Sequence, residues 1–200
     1  MTDSADQKFV VRPVRAEEWR EAKALRLLAL RDPVAPIAFL ETYEEAVERP
    51  DSFWRERTAR TAEGASGARQ FIAETADGEW AGTLALLVEE AGSTDWAGFP
   101  VERHQGHVVG VFVRPEWRGG EVGGALLDAA VEWAWERGLE RVRLIVHEDN
   151  ARAQGFYRRA GFVPSGLTVP LPQAPGEKEL EFVLERQGFA RIASPSELTG

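Results

Sequence analysis

Hydrophobic positions along this chain switch between a period of two and a period near 3.6, and each switch marks an element. Phe9 to Arg12 reads as a short first strand. From Ala16 to Arg31, the residues Trp19, Ala22, Leu25, Leu28 and Ala29 recur at helical spacing until "DPVAP" stops the helix. A second helical stretch covers Leu40 to Glu48; Pro50 interrupts it, and "DSFWRERTARTA" resumes as a helix capped by Asp51 or Ser52. Gln70 to Thr75 and Trp80 to Glu89 flank the turn "ADGE", whose Asp77-Gly78 pair suits a hairpin of antiparallel neighbours.

The glycine-rich segment Gly92 to Gly106, which carries Trp96 and Phe99, is expected to shape a pocket before the strand Val108 to Val113. In Val122 to Arg137, Val122, Leu126, Ala129, Ala130 and Trp133 form one apolar face opposite Asp128, Glu132 and Glu136, with Gly138 just past the end. Arg141 to His147 alternates as a strand. Asn150 caps a short helix in which Ala153, Phe156, Tyr157 and Ala160 share a face, and Gly161 ends it. Phe162 to Pro164 and Leu180 to Leu184 close the sheet, with "LTVPLPQAPGEK" read as a proline-rich loop between them. This order predicts a mixed α/β fold in which one sheet has helices on both faces.

Composition narrows the class. At 200 residues and 44% hydrophobic content, one globular domain over residues 1–200 is expected, with flexible termini at 1–8 and 188–200. A net charge of -9 argues against nucleic-acid wrapping and against a cationic membrane-binding surface, so an anion must be bound locally. With no cysteine, disulfides, thiolate metal sites and a cysteine nucleophile are excluded. The N-terminal stretch lacks a signal-like apolar core and no long apolar run occurs, which together predict a cytoplasmic protein.

The candidate chemistry lies in "WRGGEVGGALL", residues 117–127, between a strand and the helix Val122 to Arg137. Several backbone N–H groups and a positive helix end converge there, as a phosphate or pyrophosphate requires; alternatively the glycines only make a tight turn. A nucleoside-triphosphate loop fails because Ala125 stands where its lysine belongs, and a dinucleotide loop fails at Glu121, where its middle glycine belongs.

A third loop fits better. "VFVRPEWRGGEVGGALL" followed by "LIVHEDNARAQGFYRRAGF" resembles the two core motifs of the GNAT superfamily of N-acetyltransferases, over residues 108–164. Arg118 and Gly123 match the loop motif while Glu121 replaces its first glycine; Asn150, Ala153, Tyr157, Gly161 and Phe162 match the second motif in full. The resemblance implies a mostly antiparallel sheet splayed by a bulge between its fourth and fifth strands, with acetyl-CoA in the opening and no metal. It implies that the backbone of Val111, Phe112 and Val113 pairs with the pantetheine arm. The pyrophosphate would rest on the N–H groups of Arg118, Gly119, Gly120, Glu121, Val122, Gly123 and Gly124. Asn150 would bond the pantetheine, a role compatible with plain helix capping, and Ala153 lies in the same cofactor-binding stretch.

The reaction implied is direct attack of an amine on the thioester, with Tyr157 as proton donor to the departing sulfur and His107 as the family-mapped general base. His107 reads equally as a polar strand-edge residue; Glu41, Glu74 and Glu148 are rival bases, and proton loss through water is a further route. His104 and His107 as a metal pair lack a third ligand. The acceptor is expected to be a small-molecule or peptide amine, for example a polyamine, an aminoglycoside or a lysine side chain. The alternative reading is an acyl-CoA-binding regulatory module without turnover, which Glu121 favours and intact Asn150 and Tyr157 oppose. Trp135, off the main helix face, is read either as a homodimer contact or as packing on a neighbouring element.

Overall fold

A computed structural model describes residues 8–95, 97–170 and 176–187. The terminal segments expected to be flexible lie outside the described residues, apart from the exposed Lys8, and so do Trp96 and residues 171–175.

Seven strands form one sheet: β1 (Phe9–Pro13), β2 (Ala68–Thr75), β3 (Trp80–Glu89), β4 (Gln105–Val113), β5 (Arg141–His147), β6 (Val163–Pro170) and β7 (Lys178–Glu185), in the order β1-β2-β3-β4-β5-β7-β6. Every neighbouring pair is antiparallel except β4 and β5. Helix α4 (Val122–Glu136) lies across one face: its Val122, Leu126, Ala130 and Trp133 are buried with Phe71, Ala73, Leu84, Val108, Val142 and Leu144. Helix α5 (Ala151–Arg159) adds Tyr157 to the same cluster. On the opposite face, Ala22, Leu25 and Ala29 of helix α1 (Trp19–Leu30) pack on Ile72, Trp80 and Phe112. Two shorter helices, α2 (Tyr43–Glu48) and α3 (Asp51–Thr61), complete that layer, burying Ala46 and Trp54 against Trp19 and Leu30.

Local chemistry moves several expected boundaries. The first helix opens as a 3-10 turn, Ala16–Glu18, because the Glu18 carboxylate accepts from the Arg15 N–H at 2.8 Å and from Arg12 at 2.6 Å, tying the entry to β1. The stretch from Leu40 is not helical until Tyr43. Thr42 is the cap there: its hydroxyl accepts from the Glu45 N–H at 3.2 Å while the Glu45 carboxylate accepts from the Thr42 N–H at 2.8 Å. Helix α3 takes Pro50 as its N-cap, and neither Asp51 nor Ser52 caps it; the Asp51 carboxylate accepts instead from Lys23 at 2.9 Å. The expected proline-rich loop begins later, since Leu167 to Pro170 belong to β6. Pro164 and Pro170 are tolerated because β6 is the sheet edge, where a missing N–H breaks no second ladder.

The opening that carries the site follows from two departures in β4. It pairs with β5 only from Gln105 to Val108, against Arg141 to Leu144, and then diverges from it. Along its other edge Thr83 opposes Phe112 while Ala85 opposes Val109, so β4 carries one more residue than β3 in this interval. Gly110, at φ 64°, occupies the bulge, a conformation that a residue with a Cβ rarely adopts.

At the paired end, a buried ionic cluster covers the face opposite α4. The guanidinium of Arg143 donates to Glu89 at 2.8 Å, to Asp95 at 2.7 Å and to Glu181 at 3.2 Å. The Asp95 carboxylate also accepts from the N–H groups of Ala97 and Phe99, so the Gly92 to Gly106 segment is bound to the sheet through Arg143. Burial raises the pKa of Glu89, but the bonds from His107 and Arg143 outweigh it and hold the group down to about 2. Among the described residues, no helix is long and apolar enough to cross a membrane.

Two outcomes follow from this cluster. Arg143→Met strands three carboxylates in a buried setting and should cost about 3–5 kcal/mol in urea denaturation. Because the folded-state pKa of Glu89 is depressed from its ordinary 4.5, its stabilisation is present above that value and should be lost as pH falls from 4.5 through about 2. Glu89→Gln should flatten that part of the stability profile.

Candidate functional site

Beyond Val108 the backbone of β4 has no strand partner on its β5 side, and β5 from Ile145 to His147 bonds only β7. The two free edges wall a cleft of about 650 Å³, lined from Val108 to Val113 on one side and from Ile145 to His147 on the other. Unpaired strand edges offer a row of N–H and C=O groups to an extended ligand.

One end of the cleft is closed by the glycine loop and the start of α4. The first bond into that helix is the Ala125 N–H to the Glu121 carbonyl at 2.9 Å, so the N–H groups of the residues just before it have no helical acceptor. Gly119, Gly120, Gly123 and Gly124 line the cleft. Gly119 sits at φ 78°, which favours glycine, and a Cβ on Gly123 would meet the Phe156 ring at 3.4 Å. Glycine therefore serves both turn geometry and close packing here. Glu121 is exposed and does not line the cleft; its side chain makes no cap bond, and Val122 is buried in the core. The Arg118 side chain is occupied: Nε donates to the Val113 carbonyl at 2.8 Å and Nη2 donates to Asp32. Burial raises the Asp32 pKa, but the bonds from Arg118 and the Val34 N–H and the nearby arginine charges together outweigh it and hold that carboxyl below its ordinary value.

From α5, Asn150, Ala153, Phe156 and Tyr157 line the cleft. The Asn150 carboxamide accepts from the Ala153 N–H at 3.1 Å, a helix cap. Tyr157 is buried, and burial pushes its phenol well above the ordinary range, so it is protonated at neutral pH.

His107 is placed otherwise than the sequence suggested. It is 2% exposed, does not line the cleft, and its Nδ1 lies 3.0 Å from Glu89. An ionised carboxylate only accepts, so this nitrogen carries the proton and belongs to the Arg143 cluster. The position cannot be read from spacing, since Glu89 and Arg143 are remote in sequence. The rival carboxylates are also engaged: Glu41 with Arg26, Glu74 with Arg12, and Glu148 with Lys178, and none lines the cleft. His104 faces a different carboxylate, Glu90, at 3.4 Å. Trp135 packs, half-buried, against the α4-side core.

The structure adds residues that no motif marks. The segment after α1 contributes Asp32, Val34, Ile37, Ala38 and Phe39 to the cleft wall, whereas none of the described residues between Gly92 and Gly106 does. His147 and Glu179, directly opposed on β5 and β7, line it too. The His147 Nδ1 accepts from the Asp149 N–H at 3.1 Å, so Nε2 carries the proton and donates to Glu177 at 2.8 Å. Glu179 has no hydrogen-bond or ion-pair partner among the described residues, and burial raises its pKa above the ordinary value. Alternation within β5 would have placed His147 beside Ile145, but Glu179 requires the β5–β7 register.

Known proteins share both the sequence signature and the fold. Mycothiol acetyltransferase of Saccharomonospora viridis is 40% identical over 92 residues, which cover 46% of this chain and 29% of that protein. The Propionibacterium freudenreichii protein of the same name is 34% identical over 149 residues, covering 71% of this chain and 43% of its own length. The chain thus spans less than half the length of both relatives. Among solved structures, PaiA N-acetyltransferase from Thermoplasma acidophilum, in complex with coenzyme A, superposes with a TM-score of 0.66 at 16% identity, over 89% of this chain and 99% of that one. The model of the acetyltransferase (GNAT) family matches residues 25–162, well over half the sequence, and the chain belongs to that family.

Proposed function

We propose that this protein is an N-acetyltransferase that takes the acetyl group of acetyl-CoA and delivers it to a primary amine of a small molecule or peptide, within one ternary complex. The observation that carries the reading is the divergence of β4 from β5, with a free backbone edge along one wall, a glycine loop at one end and a buried tyrosine beside it. The chain's donors fit the molecule. The free edge from Val109 to Val113 suits an extended amide-bearing arm, and the N–H groups at the start of α4 suit a pyrophosphate. Coenzyme A supplies an activated acyl thioester; the protein supplies position and protons.

Attack requires the nitrogen to lose a proton and the sulfur to gain one. A lysine-like amine, with a pKa of roughly 10.4, reaches the cleft mostly protonated at neutral pH. Tyr157, kept as a phenol by burial, is the donor on the thioester side. The acidic surface of the chain, with net charge -9, draws a cationic acceptor and opposes a nucleic acid. A sensor module without turnover would need the loop to be compromised by Glu121, yet that side chain is exposed and lies outside the cleft.

Thiol release from acetyl-CoA across a panel of amines tests the reading directly, and acetyl-CoA should raise the melting temperature where NAD and ATP do not. Equal shifts from ATP and acetyl-CoA would point to a nucleotide site instead.

Tyr157→Phe should lower kcat by about 10²-fold with little change in acetyl-CoA affinity, since its bond to sulfur forms as the thiolate leaves. Full turnover in that variant would reduce Tyr157 to a packing residue.

Glu121→Gly should tighten acetyl-CoA modestly. For a carboxylate about 6 Å from one phosphate charge in a water-like medium the repulsion is about 0.7 kcal/mol, or about threefold in affinity. Calorimetry at low and high salt should show the gain shrinking as salt screens it.

A further inference from the structure

The base that the acetyl-transfer reading requires is not among the residues its motifs supply, because His107 is committed to Glu89 inside the ionic cluster. The cleft itself contains a better-placed group. Among the described residues, three carboxylates line it: Asp32, Asp128 and Glu179. Asp32 is bonded to Arg118, and Asp128 is exposed on α4, on the side of the glycine loop. Glu179 differs from both in being half-buried and unpartnered among the described residues.

Register places Glu179 on the face of the sheet away from α4. It opposes His147 across β5 and β7, and directly opposed residues share a face. Their neighbours Leu180, Phe182 and Val146 pack with α4 on the other face. Tyr157 stands among that α4-side cluster. Since the cleft passes between β4 and β5, both Glu179 and Tyr157 line it while rising from opposite sides of the sheet. His147 cannot take the same part, because both its ring nitrogens are engaged.

We propose that Glu179 meets the acceptor nitrogen, holding a cationic primary amine in the cleft by its ammonium group and accepting the proton that the nitrogen must shed. This assignment rests on the acetyl-transfer reading. The carboxylate takes the extra proton of the ammonium and passes it to solvent; the neutral nitrogen then forms the N–C bond as the C–S bond breaks, and Tyr157 gives its phenolic proton to the sulfur. Water carries the proton that the nitrogen sheds on acylation back to Tyr157, so one ammonium and one thioester give one amide, one thiol and one proton released to solvent.

The surroundings favour that part. Burial raises the pKa of Glu179, which makes the carboxylate a stronger base, while His147 beside it works in the opposite sense. The charged groups around Glu179 are Glu177, bonded to His147, the bonded pair Glu181 and Arg143 farther along the same sheet face, and Arg152 and Arg159 of α5; the Arg118–Asp32 pair faces from the loop side. An incoming ammonium supplies a cation that Glu179 does not find among the described residues. Val34, Ile37 and Phe39, which line the same cleft, would cover the apolar stem of such an amine.

The test is steady-state kinetics of Glu179→Gln with an amine that the wild type acetylates. At pH 7 kcat should fall by about 10²-fold while the acetyl-CoA-induced melting shift is kept, which shows that the variant folds and retains the donor site. The remaining rate should climb toward the pKa of the amine itself, and an amine already neutral at pH 7 should recover most of the loss. Parental kcat with a parental pH profile would overturn the assignment and leave the acetyl-transfer reading intact. A variant whose loss is the same for strongly and weakly basic amines would reduce Glu179 to a positioning role. No transfer by the wild type to any amine would overturn the reading, and this assignment with it.

Discussion

An interior strand normally has both edges satisfied by its neighbours, and the whole architecture here turns on one strand that does not. β4 is bonded to β3 along its length but to β5 only from Gln105 to Val108. The free groups beyond must be met by water or by a ligand, because buried backbone is rarely left without partners. Such an opening keeps its shape only if each wall is held from outside. β3 holds one wall and β7 holds the other, residue by residue, from Arg141 to His147. Helices α4 and α5 then pack beside the gap, delivering a helix start and a tyrosine to it.

Charge is distributed along the sheet to suit. At the closed end, Arg143 is surrounded by Glu89, Asp95 and Glu181, and every formal charge finds its opposite inside the protein. At the open end Glu179 has no ion-pair partner among the described residues. At the glycine-loop end the cleft offers backbone dipoles, since the loop's own Arg118 is already held by Asp32. On the proposed function, a protein with net charge -9 would admit an anion at that point without a basic patch.

The sequence reveals most where a motif and a local rule coincide. Asn150 announces both a helix cap and a place in the cleft, and the cap bond to Ala153 is present in the fold. The strand–loop–helix unit around Gly119 to Gly124 is equally legible, because glycine's freedom at φ 78° has few other uses beside a helix start. His107 was illegible for the opposite reason: its surroundings are assembled from Glu89 and Arg143, on other strands, and no local pattern reports cross-strand pairing. Glu179 sits in an unremarkable alternating stretch, and only the β5–β7 register sets it opposite His147. The misplaced cap of α3 is instructive too: Asp51 has the right chemistry for a cap, but Lys23, remote in sequence, bonds it.

The bulge at Gly110 also governs how β4 may vary in length. Side chains of a regular strand repeat every second residue, so Val108 and Phe112 would share a face if nothing intervened. They do not: Val108 lies with α4 and Phe112 with α1, while Val111 and Val113 return to the α4 side. The extra residue acts like a shift of reading frame. Removing the single extra position there would restore plain alternation and leave Phe112 under α1, whereas removing two would turn over the rest of the strand and take Phe112 out from under α1. For this strand, what the fold counts is odd against even.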